Sequence, residues 1–272
     1  SLFCRDSAES GTAGSAVRQV APTAPSRGGS RASSIMVQVS PTLRLITLPS
    51  LDALPGLVHG FEQRLGPPGG ESREAGRVRV TEALAPWGRL LLLKQVHGNL
   101  VQAAPWDGTP EADASIAEVP GFLLGIETAD CLPVLIVDPR RRVVAAVHAG
   151  WRGTASGVAG QAVAVLRGRG SDPGDLLAAL GPGIGPCCYE VGHELRQAFG
   201  PGGEEFFRPG RNGRPHLDVR AANRRQLLSA GLHAERILSL DHCTFCRSDL
   251  YHSFRREGKG AGRMISFVGF SA

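Results

Sequence analysis

The chain has 272 residues, of which 42% are hydrophobic and 20% charged, as in a globular protein large enough to bury its own core. Its formal net charge of +5 is spread along the chain, whereas a nucleic-acid-binding protein usually clusters its basic residues. No apolar stretch approaches the ~20 residues that a membrane-spanning helix needs. We therefore expect neither a nucleic acid nor a membrane as partner.

The first 35 residues differ in composition from the rest. They are rich in small polar residues, Ala, Gly and Arg, and poor in large apolar groups, so they cannot bury enough surface to offset their ordering entropy. We expect residues 1–35 to be a disordered or non-native extension and residues 36–272 to form one domain, with Met36 opening a normal start. A transit peptide is the alternative, because acidic residues are few in this segment.

The remaining chain alternates short apolar runs with glycine- and proline-rich turns, as an α/β protein does. The runs are strand-sized and rich in β-branched residues, and they predict strands at 90–93, 121–126, 134–137, 143–147 and 264–270. Apolar spacing predicts helices at 154–166, 191–199 and 221–230, the last one closed by Gly231. The run 176–180 is ambiguous in period.

Three metal-ligating residue types come just after apolar runs. His97, Cys131 and His148 occupy these positions, where a rigid scaffold presents side chains to a shared cleft. Two imidazoles and a thiolate form a ligand set that zinc accepts in catalytic sites, with one position left open. Their separations along the chain match no local zinc-finger spacing. The sequence predicts a catalytic metal centre on these three residues, provided that they converge in space.

Six cysteines are present, and in a chain of this size they do not indicate a disulfide framework. We expect reduced thiols and a cytoplasmic location. The motif Cys243-Thr-Phe-Cys246 has three interpretations: ordinary packing or cleft lining, a second metal site, or a redox pair. A second metal would need further ligands from His242, His252 or the pair Cys187–Cys188.

Two arginines near the predicted cleft are candidates for phosphate binding. Arg64 follows His59-Gly60-Phe61, and Arg152 follows the strand that carries His148. A guanidinium can donate to two phosphate oxygens at once. The glycine-rich loop at 181–186 lacks the Lys-Ser/Thr ending of a P-loop, so it predicts either close backbone approach to a ligand or a tight turn.

Several ordered segments resemble those of a known family. They are His59-Gly60-Phe61 with Arg64, Lys94-Gln95-Val96-His97-Gly98, Thr128-Ala129-Asp130-Cys131-Leu132-Pro133, His148-Ala149-Gly150-Trp151-Arg152-Gly153, Gly181-Pro182 to Gly185, Cys188-Tyr189-Glu190-Val191-Gly192, Cys243-Thr244, and Ser253-Phe254-Arg255-Arg256 with Gly262-Arg263. Their order and spacing resemble the YfiH family, also named laccase-domain or multicopper polyphenol oxidase proteins, over about four-fifths of the chain. Residues 66–80 lack the Gly-Gly-Val-Ser and the later Asn-Arg signatures usual in that family.

The resemblance implies a fold and an activity. The expected fold is α+β (α/β), a single-domain α/β/β/α sandwich with mixed β-sheets. The expected activity is that of a zinc-dependent purine nucleoside phosphorylase acting on adenosine, inosine, guanosine and methylthioadenosine, with accessory adenosine deaminase activity. Residues 36–272 would be the catalytic domain, with zinc on His97, Cys131 and His148. The partners implied are a purine nucleoside and inorganic phosphate, and the protein would be a monomer or a homodimer.

These reactions suggest roles for single residues. Cys131, Asp130 and Glu190 are the catalytic candidates, the two acids as proton shuttles, and Arg64, Gln95 and Arg152 are the candidates for substrate or phosphate binding. Alternatives are a copper polyphenol oxidase, a peptidoglycan-editing hydrolase and a metal-stabilised interaction protein. The chain has only 8 histidines and no His-x-His pair, which disfavours a multicopper site, although copper could occupy the three-ligand centre.

Overall fold

Two six-stranded β-sheets lie face to face between helices in the computed structural model, which describes residues 35–40, 42–66, 70–210 and 213–272, the first of these ranges as backbone. The strands in chain order are β1 (Ile35–Ser40), β2 (Leu43–Thr47), β3 (Leu57–Glu62), β4 (Arg89–Leu92), β5 (Val101–Ala103), β6 (Ala114–Ala117), β7 (Phe122–Thr128), β8 (Leu132–Asp138), β9 (Val143–Ala149), β10 (Leu177–Leu180), β11 (Phe207–Pro209), β12 (Pro215–Leu217), β13 (Ile237–Ser239) and β14 (Met264–Phe270).

Helices cover the outer faces or join the strands. In chain order the α-helices are α1 (Pro49–Asp52), α2 (Arg73–Leu84), α3 (Trp151–Ala155), α4 (Val158–Gly168), α5 (Leu195–Ala198), α6 (Val219–Ser229) and α7 (Phe254–Glu257). Short 3₁₀ turns lie at Pro173–Asp175, Gly203–Phe206, Ala234–Arg236 and Gly258–Gly260. Of the predicted extension, only Ile35 lies within the described residues.

Both large sheets are mixed. The first has the order β1-β2-β3-β14-β7-β4 and the second β13-β10-β8-β9-β6-β5, while β11 and β12 form a separate pair. Parallel pairing occurs at β4–β7, β10–β13 and β5–β6, and the other pairs in the two sheets are antiparallel. The central strands β8 and β9 pair in register from Leu132–Ala149 to Asp138–Val143.

The core has three layers of contact, which together give the predicted α/β/β/α sandwich. Between the sheets, Leu124 and Val268 of the first pack in one cluster with Leu135 and Val144 of the second. On the far side of the second sheet, the opposite faces of β8 and β9 pack against α4, while α2 covers the first sheet. Strands buried on both faces read as continuous apolar runs, which is why β8 and β9 were predictable. The structure confirms the predicted fold class.

Two predicted helices differ from the observed ones. The helix predicted at 154–166 is two helices, α3 and α4, because Gly157 adopts a left-handed φ of 79° between them. The helix predicted at 191–199 shrinks to α5, because the preceding backbone pairs with β12: Val191 N–H donates to Pro215 O at 2.9 Å and Glu190 bridges His216. The ambiguous run at 176–180 forms β10.

Within the described ranges, no helix combines the length and apolar character that crossing a bilayer requires.

Candidate active site

Three side chains from separate strand ends meet at one edge of the two sheets. His97 lies in the loop after β4, Cys131 lies between β7 and β8, and His148 is the penultimate residue of β9. One ligand atom of each lies within 4.8 Å of the others, and the two imidazole rings meet edge to face at 4.9 Å between centroids. The structure thus brings together the three residues that the sequence singled out as metal ligands.

Asp113, which the sequence reasoning missed, organises this group. Its carboxylate is fully buried just before β6 and accepts hydrogen bonds from four donors, two on each oxygen. Oδ1 accepts from His97 N–H at 2.9 Å and from His148 Nδ1 at 2.8 Å. Oδ2 accepts from Val96 N–H at 3.2 Å and Gly98 N–H at 2.6 Å. Asp113 therefore fixes the backbone of one ligand and the ring of another.

The hydrogen bond to His148 Nδ1 decides which ring atom faces the group. With Nδ1 bound to the carboxylate, Nε2 is left to bind a cation, the arrangement found around metal-bound histidines. His97 has a φ of 63°, which is unusual for a residue other than glycine, and its N–H bond to Asp113 holds it there. A buried acid next to the small residues Ala112 and Ala114 is the only sequence signal that could have indicated this role.

The electrostatics of the group favour the thiolate. Burial opposes ionisation of Cys131, but the adjacent His148 and His97 outweigh it and lower the thiol pKa to about 6. Burial likewise works against a charged His148, yet the Cys131 thiolate and Asp113 raise its pKa to about 9. Thiolate and imidazolium thus stabilise each other, and a bound cation would take the place of the imidazolium proton.

Gly150 shapes the space beside these ligands. A Cβ at this position would lie 2.9 Å from Cδ2 of His97 and 3.1 Å from Sγ of Cys131. Glycine therefore leaves the room that two of the three ligand side chains occupy. The donor set and this close-fitting cradle are compatible with a zinc ion, and two imidazoles with a thiolate would also accept copper.

The group opens into a pocket of about 470 Å³, a size typical of sites for small molecules. Basic residues dominate its polar lining, and aromatic rings form part of its wall. The basic residues are Arg73, Arg152, Arg255 and Arg263, and the aromatic ones are Trp151, Tyr189 and Phe254. Such a pocket suits an anionic ligand that also carries a flat ring.

Glu127 and Gln95 stiffen one wall of the pocket. The Glu127 carboxylate is buried and accepts paired hydrogen bonds from Arg73, at 3.0 and 2.6 Å, and from Arg77, at 2.9 and 2.6 Å. Burial raises its pKa, but the two guanidinium groups outweigh this and hold it below its usual value. Gln95 donates to Glu127 O and accepts from Glu127 N–H, both at 2.8 Å. Gln95 lies at the pocket with its amide bound to backbone.

Asp130 lines the pocket next to Cys131. Its φ is 92°, and both carboxylate oxygens are held: Oδ1 accepts from Thr244 Oγ1 at 2.6 Å and Oδ2 from Arg255 N–H at 2.7 Å. Arg152 also lies at the pocket, with its guanidinium 4.6 Å from the Trp151 ring. These two predicted site residues therefore share the pocket with the metal ligands.

Two other predicted site residues lie outside the pocket lining. Arg64 is buried, and its guanidinium donates to Gly66 O, Ser248 O and Glu257 at 2.8 to 3.2 Å. The Glu190 carboxylate approaches Arg214 at 3.6 Å, and only its backbone carbonyl contacts Arg255. The structure does not bring either side chain to the metal ligands.

Comparisons with known proteins agree with the motifs. Residues 71–271 match the family described as multi-copper polyphenol oxidoreductase laccase. The chain is 37% identical over 210 residues to a protein named purine nucleoside phosphorylase YlmD from Geobacillus stearothermophilus, covering 71% of this chain and 77% of that one. It is 38% identical over 183 residues to purine nucleoside phosphorylase YfiH from Escherichia coli, covering 65% and 72%. It is also 37% identical over 160 residues to adenosine deaminase RL5 from an unknown prokaryote, covering 57% and 61%.

Solved structures give the same result. The crystal structure of YlmD from Geobacillus stearothermophilus superposes with a TM-score of 0.77 at 31% identity, covering 88% of this chain and all of that one. A Bacillus licheniformis protein titled hypothetical protein YfiH gives 0.73 at 27% identity, covering 87% and 99%. The chain therefore belongs to the multi-copper polyphenol oxidoreductase laccase family, which confirms the resemblance to YfiH proteins.

Proposed function

We propose that this protein is a zinc-dependent purine nucleoside phosphorylase that accepts adenosine, inosine, guanosine and methylthioadenosine, with accessory adenosine deaminase activity. The observation that carries the proposal is the group of His97, Cys131 and His148 in the lining of a pocket that four arginines also line. Relatives named for these two reactions support it. The reduced thiol of Cys131 in this centre also suits a cytoplasmic location.

The metal centre would be held by His97 Nε2 or Nδ1, Cys131 Sγ and His148 Nε2. A zinc ion bound there supplies Lewis acidity and positive charge to an oxygen of the substrate or of phosphate. Asp113 keeps the His148 ring in the orientation that directs Nε2 away from the carboxylate. Cys131 would bind as thiolate, the form that its histidine neighbours already stabilise.

Arginines would hold inorganic phosphate for attack on the sugar. The Arg152 guanidinium lies 4.6 Å from the Trp151 ring, Arg255 lies 5.3 Å from the Tyr189 ring, and both arginines line the pocket. Phosphorolysis transfers the sugar's anomeric carbon from a purine nitrogen to a phosphate oxygen, and its transition state carries positive charge on the sugar. A phosphate dianion fixed by such guanidinium groups stabilises that charge and is the nucleophile.

The aromatic wall would bind the purine. Tyr189 and Phe254 both line the pocket, and Phe254 is 51% exposed, so its ring face is accessible to a ligand. Purine rings stack on such surfaces in offset or edge-to-face geometry. This surface favours a nucleoside over a phenol with no second ring or sugar.

Asp130 is the residue to which we assign proton transfer. Its carboxylate lies in the pocket lining, fixed by Thr244 and by the backbone of Arg255, so it can hold a proton at a constant position beside the base. Glu190, the other predicted proton shuttle, has no part in this mechanism, because its carboxylate faces Arg214. Arg64 has a structural role, and Gln95, predicted as a substrate or phosphate ligand, is instead a positioning residue that holds the Glu127 backbone.

The test is phosphorolysis of inosine. Protein purified without added copper should convert inosine and phosphate into hypoxanthine and ribose 1-phosphate, and should form neither product when phosphate is left out. Cys131→Ser should remove this activity and the metal of the centre while the circular dichroism spectrum stays unchanged. Turnover of Cys131→Ser at the parent rate would overturn the proposal.

Deamination, polyphenol oxidation and peptidoglycan cleavage are tested in separate assays on the same purified protein. Release of ammonia from adenosine without phosphate would report the deaminase activity. Oxidation of a polyphenol that requires added copper and exceeds phosphorolysis would favour the copper-oxidase alternative instead. Peptidoglycan-fragment cleavage with no phosphorolysis would favour the cell-wall alternative.

A further inference from the structure

A second group of sulfur ligands lies outside the pocket lining. Cys187, Cys188, Cys243 and Cys246 place their Sγ atoms within 4.8 Å of one another, and Cys246 Sγ lies 3.5 Å from Cys187 Sγ and 3.4 Å from Cys188 Sγ. The candidate catalytic centre uses none of these residues. None of the cysteines in the described ranges forms a disulfide.

We propose that these four cysteines bind a structural zinc ion as a tetrathiolate site. Zinc–sulfur bonds of ~2.3 Å in tetrahedral geometry place the sulfurs about 3.8 Å apart, close to the separations observed here. A disulfide would need sulfurs at about 2.05 Å. Four thiol groups that converge from two loops without forming disulfides are the arrangement of a closed, four-coordinate structural site.

The two loops that carry the cysteines are joined by backbone hydrogen bonds. Residues 181–188 follow β10, and residues 240–246 follow β13, its parallel neighbour. Gly183 N–H donates to His242 O at 3.3 Å, and Thr244 N–H donates to Gly183 O at 3.2 Å. Because β10 and β13 end side by side, the adjacent Cys187–Cys188 pair and the Cys-x-x-Cys motif face each other across this bridge.

Gly185 fits the sulfur group in two ways. Its N–H donates to Cys243 Sγ at 3.2 Å, a bond that stabilises thiolate charge. A Cβ at this position would lie 3.2 Å from Cys187 Sγ and 3.3 Å from Cys243 Cβ, so glycine leaves the space that the sulfurs use. A bond from backbone N–H to sulfur and a small residue at close approach are expected around a bound metal, and neither is needed for ordinary packing.

The histidines that the sequence offered as extra ligands have other partners. His242 Nδ1 lies 2.7 Å from Tyr251 Oη, and His252 Nδ1 lies 3.3 Å from Glu257. Neither histidine belongs to the group of converging ligand atoms, so the ligand set is four sulfurs, which selects zinc over magnesium or calcium. Four protein ligands also distinguish this site from the candidate catalytic centre, where two imidazoles and one thiolate leave one coordination position open.

The site would hold two parts of the pocket wall. Cys188 precedes Tyr189, which lines the pocket, and Cys243 precedes Thr244, whose hydroxyl donates to Asp130. Arg256 adds donors to Thr244 O and Phe245 O, both at 2.8 Å. Zinc on the four cysteines would thus fix the loops that position an aromatic ring and a carboxylate of the pocket, without contact to substrate.

The experiment counts metal in the full-length chain by elemental mass spectrometry after purification under reducing conditions. The parent should hold about two zinc ions, and the double variant His97→Ala/Cys131→Ser about one. Cobalt substituted into that double variant should show the intense visible absorption and sulfur charge-transfer bands of a tetrathiolate. Cys246→Ser should lose these bands, whereas Cys246→His, which keeps a zinc ligand, should retain metal with a shifted spectrum.

The outcomes distinguish this inference from the proposed function. If the His97→Ala/Cys131→Ser variant carries no metal, the tetrathiolate site is wrong, and the phosphorylase proposal is judged by inosine turnover alone. If native mass spectrometry shows disulfides among the four cysteines in place of metal, the redox interpretation of Cys-x-x-Cys replaces the zinc site. Thiol alkylation of the double variant should accelerate only after a chelator is added, a readout that does not depend on activity.

Discussion

Replacing Asp113 by Asn tests the claim that one buried carboxylate organises the metal centre. The substitution keeps the size and shape of the side chain and removes its charge. Each carboxylate oxygen accepts two hydrogen bonds. Of the four donors, one is His148 Nδ1 and three are the consecutive backbone N–H groups of residues 96–98. In asparagine an NH₂ group replaces one of these oxygens. Because NH₂ is itself a hydrogen-bond donor, the two N–H groups that bonded that oxygen lose their acceptor.

The expected loss of unfolding free energy follows from the two donors that lose their acceptor. A buried donor left without an acceptor costs about 1–3 kcal/mol, so two of them cost about 2–6 kcal/mol of unfolding free energy. The two bonds that remain lose their charge assistance, which adds to the loss. Typical domains have only about 5–15 kcal/mol in total, so the effect is large but need not unfold the protein. Metal affinity should fall by about 10–100-fold, because His148 Nδ1 then faces either a neutral oxygen or an NH₂ group, and both hold the ring less well than the carboxylate.

Asp138→Asn is the matched control. Asp138 is also a buried aspartate at a strand end, but one oxygen, Oδ1, accepts both of its backbone bonds, from Arg140 and Arg141 N–H at 3.0 Å. An asparagine can keep that oxygen in place, so the cost should be about 1 kcal/mol or less with no change in metal affinity. Urea unfolding of the metal-free proteins and zinc competition with a chromophoric chelator measure both quantities. Equal losses in the two variants would refute the role assigned to Asp113.

Three further predictions concern the ligand cradle, the phosphate site and a buried imidazole. Gly150→Ala should weaken zinc binding by at least about 10-fold, whereas Gly160→Ala, with open space around it inside α4, should stabilise the fold by about 0.5–1 kcal/mol. Arg152→Ala should raise the KM for phosphate by about 10-fold or more in the inosine assay, and exposed Arg140→Ala should leave it unchanged. Burial lowers the pKa of His59 to about 4, the nearby Asp52 opposing it, so the unfolded chain binds the proton more readily below pH 6.5. Unfolding free energy should therefore fall by up to about 3 kcal/mol as the pH drops from 6.5 to 4, and His59→Gln should flatten this dependence in urea titrations; an unchanged slope would contradict it.

Strand prediction succeeded where burial is complete on both faces. β8 and β9 are seven-residue runs with every residue buried, so no polar alternation hides them in the sequence. β5 and β12 are three residues long, and α2 carries few apolar residues, so local pattern gave no signal for them. Helix prediction failed where long-range backbone pairing takes precedence, as at Val191, which donates to Pro215 O.

The site residues likewise divide into those that local sequence pattern indicates and those that depend on long-range contacts. Strand ends are readable from the sequence, and they located His97, Cys131 and His148, which the fold brings together. The role of Asp113 depends on donors that lie about 15 and 35 residues away on either side, so it becomes visible only in three dimensions. Arg64 shows the opposite case, since adjacency to a strand suggested a ligand contact and the side chain instead pairs with Glu257, far along the chain.

The position of Cys131 is set from both sides by groups that approach from different loops. On one side His148 and His97, both held by Asp113, lie against its sulfur. On the other, the preceding Asp130 adopts a φ of 92°, a conformation that costs a non-glycine residue on the order of 1–3 kcal/mol unless the surroundings hold it. The hydroxyl of Thr244 supplies one of the bonds that hold it, and Thr244 follows Cys243 of the four-cysteine site. If zinc fixes that loop, removal of this zinc should relax Asp130 and shift the Cys131 thiolate, although no ligand of the catalytic metal is removed. Chelation selective for the four-cysteine site would then weaken zinc binding at the other centre, a coupling that neither site could produce alone.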